Sequence, residues 1–230
     1  MGLKTSAKPA SVLVIGASRG IGLELVRQYR AAGAQVVATA RDDAGLARLQ
    51  ALGVKALRLD VTDAVSASGL SWQINGEAFD TVVINAGVYG PDVGALAPPT
   101  ETDFDTVMHT NVLGPMRVLP QVAEVLAPGA RLAIISSIMG SLGQRSNAGG
   151  WLYRASKAAV NSVLVDAAHV LKGKALCVAL HPGWVRTDMG GPGANLSVEE
   201  SAAALRANIA QLDEAQHGSF LNIDGQPLPW

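Results

Sequence analysis

The chain has 230 residues, a formal net charge of −1, 49% hydrophobic and 16% charged residues. That composition supports a sizeable core and excludes a disordered chain, and the near-neutral balance offers no broad basic face to nucleic acid. The lone cysteine, Cys177, excludes an internal disulfide, and His109, His169, His181 and His217 have no ligand spacing, so no metal is expected.

Residues 1–10 are polar and read as a flexible tail rather than a signal peptide. No apolar run approaches the roughly 18 residues that span a bilayer, so no membrane partner is expected. Free-cysteine usage of this kind suits a reducing cytoplasm. From residue 11 onward, apolar runs of strand length alternate with longer runs of helical period. Strands are expected near 11–15, 35–40, 54–59, 81–84, 131–136, 175–181 and 219–222. Helices are expected near 21–32, 43–52, 102–126, 151–171 and 198–212, with a short helix or turn at 64–70.

Several strands are almost wholly apolar, as in Val12-Leu13-Val14-Ile15 and Val82-Val83-Ile84. Such strands are buried on both faces, as in a parallel sheet covered by helices. The alternation predicts an α/β chain, doubly wound, with a seven-stranded mostly parallel sheet and helices on both faces, as one domain over 11–230. Pro and Gly concentrate at 90–99 and 190–193, both after strands, at the edge where open α/β sheets bind ligands. Ser197-Val198-Glu199-Glu200 reads as a capping box opening the last helix.

The first strand runs into Gly16-Ala17-Ser18-Arg19-Gly20-Ile21-Gly22 and then a helix. Glycines there permit a tight turn and close approach of backbone to a pyrophosphate, and the helix start supplies free amides. A ribose 2′-hydroxyl usually meets an acid at the end of the second strand, whereas a 2′-phosphate wants a cation. Position 40 is Ala, Arg41 follows, and Arg19 lies in the glycine turn, so NADP is expected over NAD. Asp42 and Asp43 keep NAD as the alternative.

Tyr153 and Lys157, four apart on a helix, share one face. A neighbouring ammonium favours the phenolate and is expected to lower the tyrosine pKa, fitting it for proton exchange with a carbonyl oxygen. Ser136 and Ser137 end the fifth strand at the ligand edge, where a hydroxyl can stabilise developing negative charge. Asn111, unfavourable inside a helix, would hold a water or a backbone group.

Taken together, Gly16-x-x-x-Gly20-x-Gly22, Asn85-Ala86-Gly87, Asn111, Ser137, Tyr153-x-x-x-Lys157 and Pro182-Gly183-x-x-x-Thr187 resemble the short-chain dehydrogenase/reductase family, a Rossmann fold, over nearly the whole chain from Ser11. Tyr153-Arg154-Ala155-Ser156-Lys157 and the stretch after Pro182 resemble a subgroup holding the C-factor signalling proteins and sniffer-type carbonyl reductases. The resemblance implies a catalytic tetrad of Asn111, Ser137, Tyr153 and Lys157. Tyr153 would be the acid/base, Lys157 would also hold the nicotinamide ribose, Ser137 would orient the carbonyl, and Asn111 would support a water relay. It implies a cofactor site of Gly16, Ser18, Arg19, Gly20, Ile21, Gly22, Arg41, Asp60, Val61, Asn85, Ala86, Gly87, Tyr153, Lys157, Pro182, Gly183, Val185 and Thr187. Asp60-Val61 would contact adenine and Thr187 the carboxamide. The loop from Ser137 to Tyr153 is about three residues longer than usual for the family, so Ser136 remains beside Ser137 as a candidate.

Only nine residues separate Thr187 from Ser197, which suggests a short mobile lid without a helix. Met139, Leu142, Trp151, Trp184 and Met189 are candidate substrate walls, with core packing as the alternative. The 151–171 helix is apolar on more than one face, which suggests a homodimer or homotetramer. The expected activity is hydride transfer between NADP and a small carbonyl or alcohol substrate. The alternative is a cofactor-binding signalling or redox-sensing protein.

Overall fold

A computed structural model describes residues 10–91 and 96–230; the expected tail, save Ala10, and residues 92–95 of the 90–99 loop lie outside the described residues. The first half of the chain builds β1 (Ser11–Ile15), α1 (Gly20–Ala31), β2 (Gln35–Ala40), α2 (Asp43–Ala51), β3 (Lys55–Arg58), the short α3 (Ala64–Ser68) and α4 (Leu70–Gln73), and β4 (Phe79–Ile84). The second half builds α5 (Glu101–Met108), α6 (Gly114–Ala123), β5 (Leu126–Ile135), α7 (Trp151–Leu171), β6 (Ala175–Leu180), α8 (Val198–Gln211) and β7 (Ser219–Leu221). The strands form one sheet in the order β3-β2-β1-β4-β5-β6-β7. Every pairing is parallel, where the sequence suggested a mostly parallel sheet. This is a doubly wound Rossmann fold.

Alternation along the strands sorts the core into two sides. Leu13, Ile15, Val82, Ile84, Leu132 and Ile134 face α6 and α7, where Val118, Val122, Val160 and Leu164 cover them. Val83, Ala133, Val178 and Leu180 pack with Leu25 of α1 and with Leu205 and Ile209 of α8 on the other side. Val12, Val14, Val36 and Ala38 complete that side with Val26 and Leu49. The capping box forms at the start of α8: the Ser197 hydroxyl accepts from the Glu200 amide, and the Glu200 carboxylate accepts from the Ser197 amide.

The expected helix over 102–126 is a correction. It breaks into α5, a π-helical turn at His109–Leu113, and α6, and β5 already begins at Leu126, five residues before the expected strand. Gly114 and Pro115 explain the break. Pro115 brings no N–H to the Asn111 carbonyl four residues back, so the α-helical ladder cannot run through this point.

Strand order reverses between β1, which leads out to β2 and β3, and β4, which leads to β5 and beyond. Ligands bind at such a switch point, outside the carboxyl ends of the strands.

Candidate active site

The glycine turn sits at that switch point. Gly16 has φ +81°, and a Cβ on it would fall 2.6 Å from the Ala86 Cα. A Cβ on Gly22 would lie 2.4 Å from the Gly16 carbonyl oxygen. Both positions therefore exclude any side chain. The Asn85 amide donates to the Gly16 carbonyl at 2.7 Å, and the Gly16 amide donates to the Thr39 hydroxyl at 3.0 Å. Asn85 thus braces the turn rather than pointing into open space. Thr187 closes the turn from the far side, with its methyl group 3.4 Å from where a Gly20 Cβ would stand.

From this turn a cleft of about 640 Å³ runs along the strand ends. Gly16, Ser18, Arg19, Gly20, Ile21, Arg41, Asp60, Val61, Asn85, Ala86, Gly87, Tyr153, Lys157, Pro182 and Thr187 line it, all of them anticipated. Gly22 and Gly183 act behind the wall: a Cβ on Gly183 would strike Leu196 at 2.4 Å. Val185 is buried, bridges to Leu196 and does not line the cleft. Burial alone would raise the Asp60 carboxyl. Hydrogen bonds from the Thr62 hydroxyl and amide, with the charge of Arg41, outweigh it and hold the pKa below the ordinary value.

The cations and acids around β2 sort themselves by their partners. Arg19, expected at a 2′-phosphate, pairs with Asp188 across the mouth of the cleft. Asp42 caps α2, accepting from the Gly45 amide at 2.7 Å, and Asp43 pairs with Arg58. Arg48, which the sequence reading missed, lines the cleft and donates to the Ser18 carbonyl at 2.8 Å. Its signal was the helical register of α2, which sets Arg48 above the glycine turn once the turn and helix are packed together.

At the far end of the cleft Tyr153 and Lys157 lie on the inner face of α7. Lys157 is 5% exposed and donates to the Ile135 carbonyl at 2.9 Å. Its ammonium stands 5.6 Å from the Tyr153 ring centroid, and Tyr89 packs on the same ring at 4.7 Å. Burial pushes Tyr153 up to about 12, with the Ser137 hydroxyl hydrogen-bonding against that trend and Tyr89 adding to it. Burial also pushes Lys157 down to about 8. The expectation that the ammonium lowers the tyrosine pKa is thereby corrected. Desolvation of a nearly buried phenol outweighs an ammonium that is already spent on a carbonyl.

The two serines separate cleanly. Ser136 is 2% exposed and turns its hydroxyl to the Asn161 amide oxygen at 2.5 Å, while Ser137 faces Tyr153. Asn111 is 1% exposed, and its side chain is fully engaged. It accepts from the Val88 amide at 2.8 Å and donates to the Val88 carbonyl at 2.8 Å and to Ser156 Oγ at 2.9 Å. Ser156 donates in turn to the Tyr153 carbonyl at 2.8 Å. Asn111 therefore ties the strand end after β4 to α7, a contact that sequence spacing did not reveal.

Residues 10–195 match the family model described as short chain dehydrogenase. The chain belongs to the short-chain dehydrogenase family. Among relatives of this short-chain dehydrogenase is 1-hydroxy-2-glutathionyl-2-methyl-3-butene dehydrogenase of Rhodococcus, 35% identical over 96% of this chain and 100% of that protein. C-signal of Myxococcus xanthus is 37% identical over 66% of this chain and 92% of that protein. Among solved structures, a Burkholderia multivorans short-chain dehydrogenase/reductase with bound NADP superimposes with a TM-score of 0.88 at 31% identity, covering 97% of this chain and all of that one. A Pseudomonas aeruginosa carbonyl reductase in complex with NADP gives 0.84 at 36% identity, over 97% of this chain and all of that one.

Of the candidate substrate walls of the dehydrogenase, only Met189 lines the cleft; Leu142 (66% exposed), Trp184 (55%) and Met189 (47%) are too exposed for core residues, while Met139 and Trp151 are half-buried. The 187–197 stretch contains no helix, as expected. It is nonetheless tied down: the Trp184 indole donates to the Gly190 carbonyl at 2.8 Å, and Arg186 donates to the Ala194 and Asn195 carbonyls, both at 3.0 Å. No described helix is long and apolar enough to cross a membrane.

Proposed function

We propose that this short-chain dehydrogenase is an NADP-dependent carbonyl reductase that uses Tyr153 as its acid/base. One observation carries the reading: Tyr153, hydrogen-bonded by Ser137, and Lys157 stand at one end of a cleft whose other end is a side-chain-free glycine turn. The cleft fits a dinucleotide because Gly16 and Gly22 leave backbone where any Cβ would collide, and backbone amides can then approach a pyrophosphate. NADP is favoured over NAD because Ala40 offers no acid to a ribose hydroxyl and both following acids are committed, Asp42 to the α2 cap and Asp43 to Arg58. Arg41 and Arg48 then remain as the cations beside a 2′-phosphate, while Arg19 is held by Asp188. The NADP-bound relatives from Burkholderia and Pseudomonas support the same choice.

The bound cofactor would supply a hydride to the carbonyl carbon. The protein supplies the proton and the geometry. Tyr153, protonated across the physiological range, gives its phenolic proton to the carbonyl oxygen, so carbonyl, hydride and proton together make the alcohol. The Ser137 hydroxyl donates to the same oxygen as negative charge develops. Lys157 would hold the nicotinamide ribose, and it carries the charge beside the phenol. Because the Asn111 side chain is committed to Val88 and Ser156, we assign its main-chain carbonyl, to which Pro115 brings no N–H, as the relay acceptor through which the proton is replaced.

The substrate is a small carbonyl compound with an apolar body, matched to Leu142, Trp184 and Met189. Homo-oligomerisation through the outer surface of α7, where Val170 is 83% exposed, and a cytoplasmic location belong to the same reading. The similarity to C-signal gives a second reading, a cofactor-binding signalling protein. NADPH consumption across a panel of aldehydes, ketones and quinones separates the two. Turnover on any member supports the reductase. Tight NADPH binding with no turnover on all of them favours the signalling protein.

A further inference from the structure

Ser137 is followed by a 3₁₀ turn at Ile138–Gly140 and then by the loop that carries Leu142, a candidate substrate wall. This segment lies directly on α7. A Cβ on Gly140 would fall 2.8 Å from the Lys157 carbonyl carbon, so any shift of the loop is felt at Lys157. Within the turn, the Met139 amide donates to the Ser137 hydroxyl at 3.1 Å.

The loop is held from outside by residues remote in sequence. After β7 the chain doubles back: the Asn222 amide donates to the Gln226 carbonyl at 2.8 Å, Leu221 bridges to Pro227, and the Leu228 amide donates to the Phe220 carbonyl at 2.7 Å. Trp230 then stacks on Phe220, with ring centroids 5.6 Å apart and an angle of 18° between the planes. Phe220 is 1% exposed, which makes it a rigid anchor in the sheet. From this anchored position the Trp230 carbonyl accepts from the Leu142 amide at 3.0 Å and the Gly143 amide at 3.1 Å. The buried Ser141 hydroxyl donates to the Pro229 carbonyl at 2.6 Å and accepts from the Gln144 amide at 3.0 Å. A Cβ on Gly143 would stand 3.1 Å from Pro229, so the two segments are in close contact.

We propose that residues 226–230 form a clamp that fixes the 138–144 loop, making Trp230 and Ser141 positioning residues for the carbonyl substrate and not for the dinucleotide. The clamp holds the Leu142 main chain while its side chain stays 66% exposed, five residues along the chain from Ser137. Sheet rigidity thus reaches the substrate wall through an aromatic stack and three hydrogen bonds, with none of these residues lining the dinucleotide cleft. The proposal rests on the carbonyl-reductase reading for its kinetic part only.

Trp230→Ala removes the stack, and Ser141→Ala removes two of the loop's hydrogen bonds with little change in volume. Each variant is compared with wild type in two ways: amide hydrogen exchange at Leu142 and Gly143, and steady-state kinetics with 4-nitrobenzaldehyde and NADPH. The clamp predicts that exchange at the two amides accelerates by about 10-fold, the size of one or two lost hydrogen bonds. It also predicts that KM for the aldehyde rises about 5-fold while the Kd for NADPH stays within about twofold. Unchanged exchange in both variants overturns the clamp. Faster exchange with an unchanged aldehyde KM, or with aldehyde KM and NADPH Kd rising together, overturns the positioning role. Absence of turnover in wild type defeats the carbonyl-reductase reading instead, and the exchange measurement still decides whether 226–230 hold the loop.

Discussion

Tyr153 and Lys157 show how burial outweighs proximity at the scale of single residues. Spacing places them on one face, and the structure agrees. It also drives the two pKa values toward their neutral forms, Tyr153 to about 12 and Lys157 to about 8. Sequence could not supply the sign, because desolvation depends on how α7 packs against β5. A testable pH dependence follows. Lys157 is charged below about pH 8 and loses its proton as pH rises through that value, while Tyr153 keeps its own. Carbonyl reduction in the enzyme is therefore expected to be flat from pH 6 to 7.5 and to fall above about 8, and a pH–rate profile checks it. Stability runs the other way. A Lys pKa depressed on folding means that the buried ammonium destabilises the fold at low pH, and this cost disappears as pH rises from about 8 to the unfolded value of 10.5. Lys157→Met should abolish activity yet raise Tm at pH 7, by up to roughly 3 kcal/mol of stability. The gain should shrink at pH 10, and thermal melts at the two pH values test this.

The break between α5 and α6 is the decisive feature at the scale of elements. Hydrophobic period alone reads 102–126 as one helix, although the π turn at His109–Leu113 buries the polar Thr110 and Asn111. The clue was present in Gly114-Pro115, because a proline denies an N–H to the residue four before it. Its consequence, the placement of Asn111 against Val88 and Ser156, depends on a contact between α5–α6 and α7 that no local pattern encodes. Asn111→Leu would leave the Val88 amide and carbonyl and the Ser156 hydroxyl without their partner in a buried site. A loss of about 3 kcal/mol is expected, given about 1–3 kcal/mol per unsatisfied buried group. Urea denaturation measures it, and a loss below about 0.5 kcal/mol would contradict the bracing role. The glycine turn was the most legible element, since its residue types state the backbone they require. What it could not state was the use of Asn85 as a brace for that turn.

Across the whole molecule, the sequence carried the doubly wound architecture and the ligand edge because strand and helix periods alternate without interruption. It carried the cofactor preference less directly. Ala40 and Arg41 are adjacent in the chain, but the pairing of Arg19 with Asp188 and of Asp43 with Arg58 arises only when distant loops meet. The cofactor reading predicts that Arg41→Ala combined with Arg48→Ala raises the NADPH KM by about 10-fold or more, the scale of lost charge-assisted phosphate contacts, with little change for NADH. Equal losses with both dinucleotides would point away from a 2′-phosphate site. The exposed Ala155 and Val170 on the outer surface of α7 predict a homo-oligomer, and sedimentation over a range of concentrations checks it; a monomer mass at all of them would remove that part of the account.

The central claim is that Tyr153 delivers the proton in a hydride-transfer reaction on a carbonyl. It is tested most directly by comparing wild type with Tyr153→Phe in NADPH-dependent reduction of an aldehyde, with NADPH affinity measured alongside. A positioned general acid contributes about 10²–10⁴-fold, so kcat/KM is expected to fall by at least about 100-fold while the NADPH Kd changes less than about threefold. Retention of kcat/KM within a few-fold of wild type would contradict the account.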